Sequence, residues 1–156
     1  RINGKVASET TLSALTATHF GVPVIMASGD DAYVEHAQKE LAGPNHPLET
    51  VTTKWAYSFT SARMIKPTTV QKNIGEAVKR AIKNLDNPQH FSIATLPDEM
   101  ILEVRCMQRN AVELLDYLPN IERIDSHSFR YVGKDIVEIC KVLRFILKSG
   151  ALTLKA

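Results

Sequence analysis

A chain of 156 residues is long enough for one domain with a proper core, and 44% hydrophobic with 23% charged residues is ordinary for a soluble globular protein. A net charge of +2, with no polybasic run and no basic stripe interleaved with aromatics, argues against a nucleic-acid partner. No stretch approaches the roughly 18 apolar residues of a membrane span.

The chain starts Arg1-Ile2-Asn3-Gly4-Lys5-Val6. Asn-Gly favours a two-residue hairpin turn because both central residues must reach positive φ. Only two residues precede that turn and no Met opens the chain, so it reads as the C-terminal part of a longer protein. Ser8 is a natural N-cap for a helix carrying Leu12, Leu15, Thr16 and His19, which Gly21 stops. Val22-Pro23-Val24-Ile25-Met26-Ala27 predicts a strand buried on both faces, as in a parallel sheet under helices. Gly29-Asp30-Asp31 then turns into a helix through Tyr33, Ala37 and Leu41.

Beyond the break at Gly43 to Pro47, Thr50 to Trp55 predicts a β-branched strand. Pro67 suits the first turn of a helix through Val70, Ile74, Val78 and Ile82. Asn84 to Pro97 is loop-like, with Phe91-Ser92-Ile93 a short strand or anchor. Met100 to Cys106 alternates Glu103 and Arg105 with Leu102, Val104 and Cys106, which implies one wetter face. A short helix from Asn110 to Leu118, a hairpin of Glu122–Asp125 with Phe129–Val132, and a last helix from Lys134 to Ser149 complete the chain. The fold class predicted is α/β: a parallel or mixed sheet flanked by helices over residues 1–97, with a smaller α+β unit over 98–156.

Cys106 and Cys140 fall inside apolar patterns, as buried thiols in a reducing, cytoplasmic compartment. His19, His36, His46, His90 and His127 show no metal-ligand spacing, and no C-x-x-C, nucleophile elbow or Gly-rich phosphate loop is present. Glu9 stands apart. In the first turn of a helix, directly after a hairpin, a carboxylate faces the positive helix end and aims outward as a divalent-metal ligand should; it equally serves as a simple complement to the helix dipole. Asp30 and Asp31 lie at the carboxyl end of a predicted strand, where ligands bind in open α/β sheets, or they only cap the next helix.

Ile2-Asn3-Gly4, Ser8-Glu9 and the block Gly21 to Asp31, with its V-P-V run and G-D-D turn, together resemble the DppA-type zinc-dependent D-aminopeptidases. Lys54, Ser61-Ala62-Arg63, Pro67, Leu118-Pro119, the Glu122 to Val132 hairpin and Lys134-Asp135 extend the resemblance to about Gly150. Ser8 stands where the family pattern has Gly. The resemblance implies an enzyme with a two-zinc site, in which Glu9 is a metal ligand. The other ligands and the catalytic histidine belong to an N-terminal half absent from this chain, so no catalytic residue and no organic-cofactor-binding residue is expected here. It also implies hydrolysis of short peptides or amides with an N-terminal D-amino acid, and a homo-oligomer. The last helix, with apolar residues from Ile136 to Leu147 on more than one face, calls for a second cover, either the N-terminal half or another subunit. The competing readings are a non-catalytic α/β binding or assembly module on the same scaffold, and an unrelated doubly wound domain in which Glu9 and the Asp pair only cap helices.

Overall fold

The computed structural model describes residues 1–43, 47–85, 96–107 and 109–148. Contacts divide the chain into two units: Phe20–Ala94, and a discontinuous one of Arg1–His19 with Thr95–Ala156. The first nineteen residues thus group with the C-terminal unit. Ile2 bridges Leu102, and Thr16 Oγ1 lies 3.7 Å from Cys140 Sγ. The expected anchor at Phe91–Ile93 lies outside the described residues, as do His46 and His90.

The Phe20–Ala94 unit holds β1 (Met26–Asp30), α2 (Asp31–Leu41), β2 (Glu49–Ala56), β3 (Ala62–Met64) and α3 (Pro67–Leu85); the first helix, α1 (Glu9–His19), belongs to the other unit. β1 and β2 are parallel, in register from Met26 opposite Glu49, with an irregularity between Gly29 and Asp30. β2 turns back into the antiparallel β3, so the sheet is mixed. The strand predicted at Val22–Ala27 begins four residues later, at Met26. Pro23 has no N–H to give a ladder, and pairing begins only where Ile25 O accepts from Glu49 N at 3.1 Å. Among the described residues β1 pairs only with β2; only Ala27 of it is buried, and Val22, ahead of the strand, is 55% exposed.

Pro67 occupies the first helical position of α3, as its lack of a donor allows. The buried stripe of that helix differs from the predicted one. Ala77 and Ala81 are buried, Val70, Ile74 and Val78 are half-buried, and Ile82 faces solvent. The fully buried positions of the helix, which packs against β2 and β1, are thus its alanines, with the larger residues at the margin of the contact.

In the other unit, α1 (Glu9–His19) and α5 (Ile136–Lys148) accompany an antiparallel sheet ordered β4 (Met100–Arg105), β6 (Ser128–Gly133), β5 (Ile121–Arg123), with the short α4 (Arg109–Leu115). The predicted hairpin is present, and β6 pairs with both neighbours. Leu102 and Cys106 point inward while Ile101, Arg105 and Val132 point out, as the alternation predicts. On the inner face one cluster gathers Cys106, Val112, Leu115, Phe129 and Ile146; a second gathers Ile2, Met100, Leu102, Tyr131, Ile136 and Ile139. Part of the second cover of α5 is α1 itself, through Leu12 and Leu15 beside Cys140 and Leu143. That cover comes from within the chain, not solely from an N-terminal half or another subunit. Phe145 and Leu147 remain exposed.

Candidate functional site

The start of α1 is built by local chemistry. Asn3 (φ 47°) and Gly4 (φ 77°) form the tight turn the sequence predicts, closed by Ile2 N to Lys5 O at 2.8 Å and Lys5 N to Ile2 O at 3.0 Å. Ser8 N donates to Thr11 Oγ1 at 3.1 Å and Thr11 N donates to Ser8 Oγ at 3.2 Å. This reciprocal capping box satisfies two donors at the helix start. Glu9 is the first residue of the helix. It is exposed, and its carboxylate makes no hydrogen bond or ion pair with the described residues.

The rigid hairpin and cap thus present a carboxylate with both oxygens open. That is the donor type zinc accepts, and in this respect Glu9 fits the implied metal. Among the described residues no group of three or more His, Cys, Asp or Glu side chains converges to hold an ion. Glu9 thus remains a candidate ligand, and the described residues hold no whole ligand set.

Asp30 and Asp31 both have structural partners. Asp30 Oδ1 accepts from Tyr33 N at 2.8 Å and caps α2; Asp31 Oδ1 accepts from Ala56 N at 3.2 Å, tying the helix start to the end of β2. Of the two readings open from the sequence, the structure brings out the capping one. His127 is a clasp between turns: its Nδ1 lies 3.3 Å from Cys106 O, and Arg109 Nε donates to its Nε2 at 3.4 Å. His19 ends α1. Burial pushes the Cys106 thiol pKa up, consistent with an inert core cysteine.

The start of α5 carries the densest polar network, and the sequence reading passed over it. Asp135 Oδ1 accepts from Glu138 N at 2.8 Å, Glu138 Oε2 accepts from Lys134 N at 2.8 Å, and Tyr131 OH donates to Glu138 Oε1 at 2.9 Å. The Glu138 N–H holds the Asp135 carboxyl below its ordinary pKa, and the Lys134 N–H followed by the Tyr131 hydroxyl do the same for Glu138. Burial, then the Glu138 carboxylate, pushes the Tyr131 phenol up. The signal was legible as Asp135-x-x-Glu138, a capping-box spacing.

The family model described as D-aminopeptidase, peptidase family M55, matches residues 1–145. The chain belongs to the D-aminopeptidase family. It is 25% identical over 138 residues to the D-aminopeptidase of Bacillus subtilis (strain 168), an alignment covering 88% of this chain and 48% of that protein. Among solved structures it matches the Zn-dependent D-aminopeptidase DppA from Bacillus subtilis, a self-compartmentalizing protease, with a TM-score of 0.85 and 22% identity, over 100% of this chain and 54% of that one. The chain thus spans about half the length of these D-aminopeptidases, and the α/β fold predicted from its sequence is theirs. No helix among the described residues is long and apolar enough to cross a membrane.

Proposed function

We propose that this chain is the C-terminal part of a zinc-dependent aminopeptidase that hydrolyses short peptides or amides bearing an N-terminal D-amino acid, and that Glu9 is one of its zinc ligands. The family match over residues 1–145 carries the reading. The open Glu9 carboxylate on a doubly capped helix start supports the ligand role. The remaining ligands, the catalytic histidine and the substrate contacts belong to an N-terminal half of the same protein. On this reading the complete site holds two zinc ions and works in the cytoplasm as a homo-oligomer; the Zn-dependent, self-compartmentalizing relative supports zinc and assembly.

When bound, zinc supplies a Lewis acid for the scissile carbonyl and a water acidified toward neutral pH. This chain's contribution is positional. The Asn3-Gly4 turn fixes the entry to α1, the Ser8–Thr11 pair fixes its first turn, and Glu9 projects an anionic oxygen from that turn. The positive helix end favours negative charge there.

The test is Glu9→Gln in the full-length protein, read by zinc content and by hydrolysis of a D-amino-acid amide. Loss of a direct ligand is expected to reduce both by more than the ~10–100-fold typical of an outer-shell partner. Unchanged zinc and rate would reduce Glu9 to a helix-end charge. A zinc-free, inactive wild-type protein would instead favour the assembly-module reading, for which the exposed Phe145 and Leu147 of α5 are the motive.

A further inference from the structure

Ser8 and Thr11 are tied together across Glu9 and Thr10. Ser8 N donates to Thr11 Oγ1 at 3.1 Å, Thr11 N donates to Ser8 Oγ at 3.2 Å, and the two hydroxyl oxygens lie 3.1 Å apart as a further hydrogen bond. The first intrahelical bond, Leu12 N to Ser8 O at 3.0 Å, spans the same residues. The backbone of Glu9 therefore lies inside a closed ring, and the direction of its Cα–Cβ bond is set by the hydroxyl residues on either side. Both hydroxyl residues are half-buried, while Glu9 is exposed.

The acceptors in this cap are neutral. In the common capping box a Glu or Gln at the third helical position reaches back to the N–H of the cap residue. Thr11 occupies that position and does the same with a hydroxyl, which leaves Glu9 the only acidic residue of the first turn. A carboxylate at a helix start is drawn to the unpaired N–H groups there, and one folded back onto them turns its lone pairs away from any ion. Here two of those donors, Ser8 N and Thr11 N, are already taken, and the Glu9 carboxylate makes no hydrogen bond with the described residues.

We infer that Thr11, together with Ser8, is a positioning residue for Glu9 as a zinc ligand: the pair fixes the Glu9 backbone and withholds from its carboxylate the backbone donors that would otherwise engage it. The inference rests on the proposed ligand role of Glu9 and adds the residues that set how tightly that ligand holds metal. A carboxylate already free and oriented binds an ion at less cost than one that must first be released, so the hydroxyl pair raises zinc affinity without touching the ion.

The zinc affinity of the full-length protein, measured by competition with a chromophoric chelator, reads this effect apart from turnover. Thr11→Val removes the hydroxyl at nearly constant shape. It is expected to weaken zinc binding about 10-fold, the lower end of the range for residues that orient a ligand, because it acts through the Glu9 backbone. Ser8→Ala breaks the pair from the other side and should do the same, while Thr11→Ser should restore the wild-type affinity. A double-mutant cycle separates positioning from a purely structural role. In a Glu9→Gln background Thr11→Val should change zinc affinity by less than ~2-fold. Wild-type affinity in folded Thr11→Val and Ser8→Ala proteins, beside a Glu9→Gln protein that has lost affinity, overturns this inference and leaves the ligand role standing. An equal loss from Thr11→Val with and without the Glu9 carboxylate also overturns it. Unchanged affinity in Glu9→Gln removes the ligand role itself, and this inference with it.

Discussion

Gly29 ends the straight part of β1 one residue before the cap of α2, and the ring of Tyr33 rests against it. A Cβ placed on Gly29 would lie 2.4 Å from Tyr33 Cδ1, 2.9 Å from Cγ and 3.2 Å from Cβ. The clash reaches the root of the side chain, so moving only the ring tip does not relieve it. Overpacking of this kind costs about 1–3 kcal/mol, and contacts this short belong in the upper half of that range. Gly29 has no positive φ, so Gly29→Ala otherwise gains about 0.4–1 kcal/mol from a stiffer unfolded chain. The net expectation is a loss of about 1–2.5 kcal/mol, or a melting temperature lower by roughly 2–10 °C in a chain of this size. A double-mutant cycle isolates the cause. In a Tyr33→Ala background the ring is gone while the Tyr33 N–H to Asp30 bond is a backbone one and survives. There Gly29→Ala should be neutral or stabilising, so the sign reverses. Thermal denaturation of the four proteins measures it. Equal destabilisation in both backgrounds would refute the steric argument.

Three further outcomes are expected. Asp135 and Glu138 have folded pKa values below their ordinary ones, so their stabilisation is present above the unfolded carboxylate range, near pH 4–4.5, and is lost as pH falls through the lower folded values; acid denaturation of Asp135→Asn should show a shallower loss of stability in that window. Tyr131 has the opposite sign: its raised phenol pKa contributes below pH 10 and is lost as pH rises through the folded value, a dependence that Tyr131→Phe should remove from alkaline melts. Cys106, 4% exposed and with its thiol pKa raised, should label with iodoacetamide only on unfolding, while the half-buried Cys140 labels first, as timed mass mapping would show.

What the sequence made legible was mostly local. The Asn3-Gly4 turn, the Ser8 cap, Pro67 at a helix start and the inward–outward alternation of β4 each follow from chemistry within a few residues. Two misplacements have non-local causes. The apolar run from Val22 does not become strand until Met26, because the ladder partner, Glu49 onward, sets where pairing begins. The first nineteen residues pack against α5 and β4, a long-range choice that no periodicity encodes. β3 went unread because three exposed residues, Ala62–Met64, carry no burial pattern; their pairing with β2 is accompanied by Arg63 stacking 4.1 Å from the Trp55 ring. At the candidate site, the position of Glu9 was readable from its cap, and the structural duty of Asp30 was one of two open readings. No further ligand candidate is readable, and no group of three or more His, Cys, Asp or Glu side chains converges among the described residues.

Whether Glu9 binds zinc is read most directly from a zinc-edge anomalous difference map of crystals of the full-length protein. A zinc peak is expected about 2.0–2.2 Å from a Glu9 carboxylate oxygen, the coordination distance for a carboxylate on zinc. Zinc bound elsewhere with Glu9 left uncoordinated would contradict it.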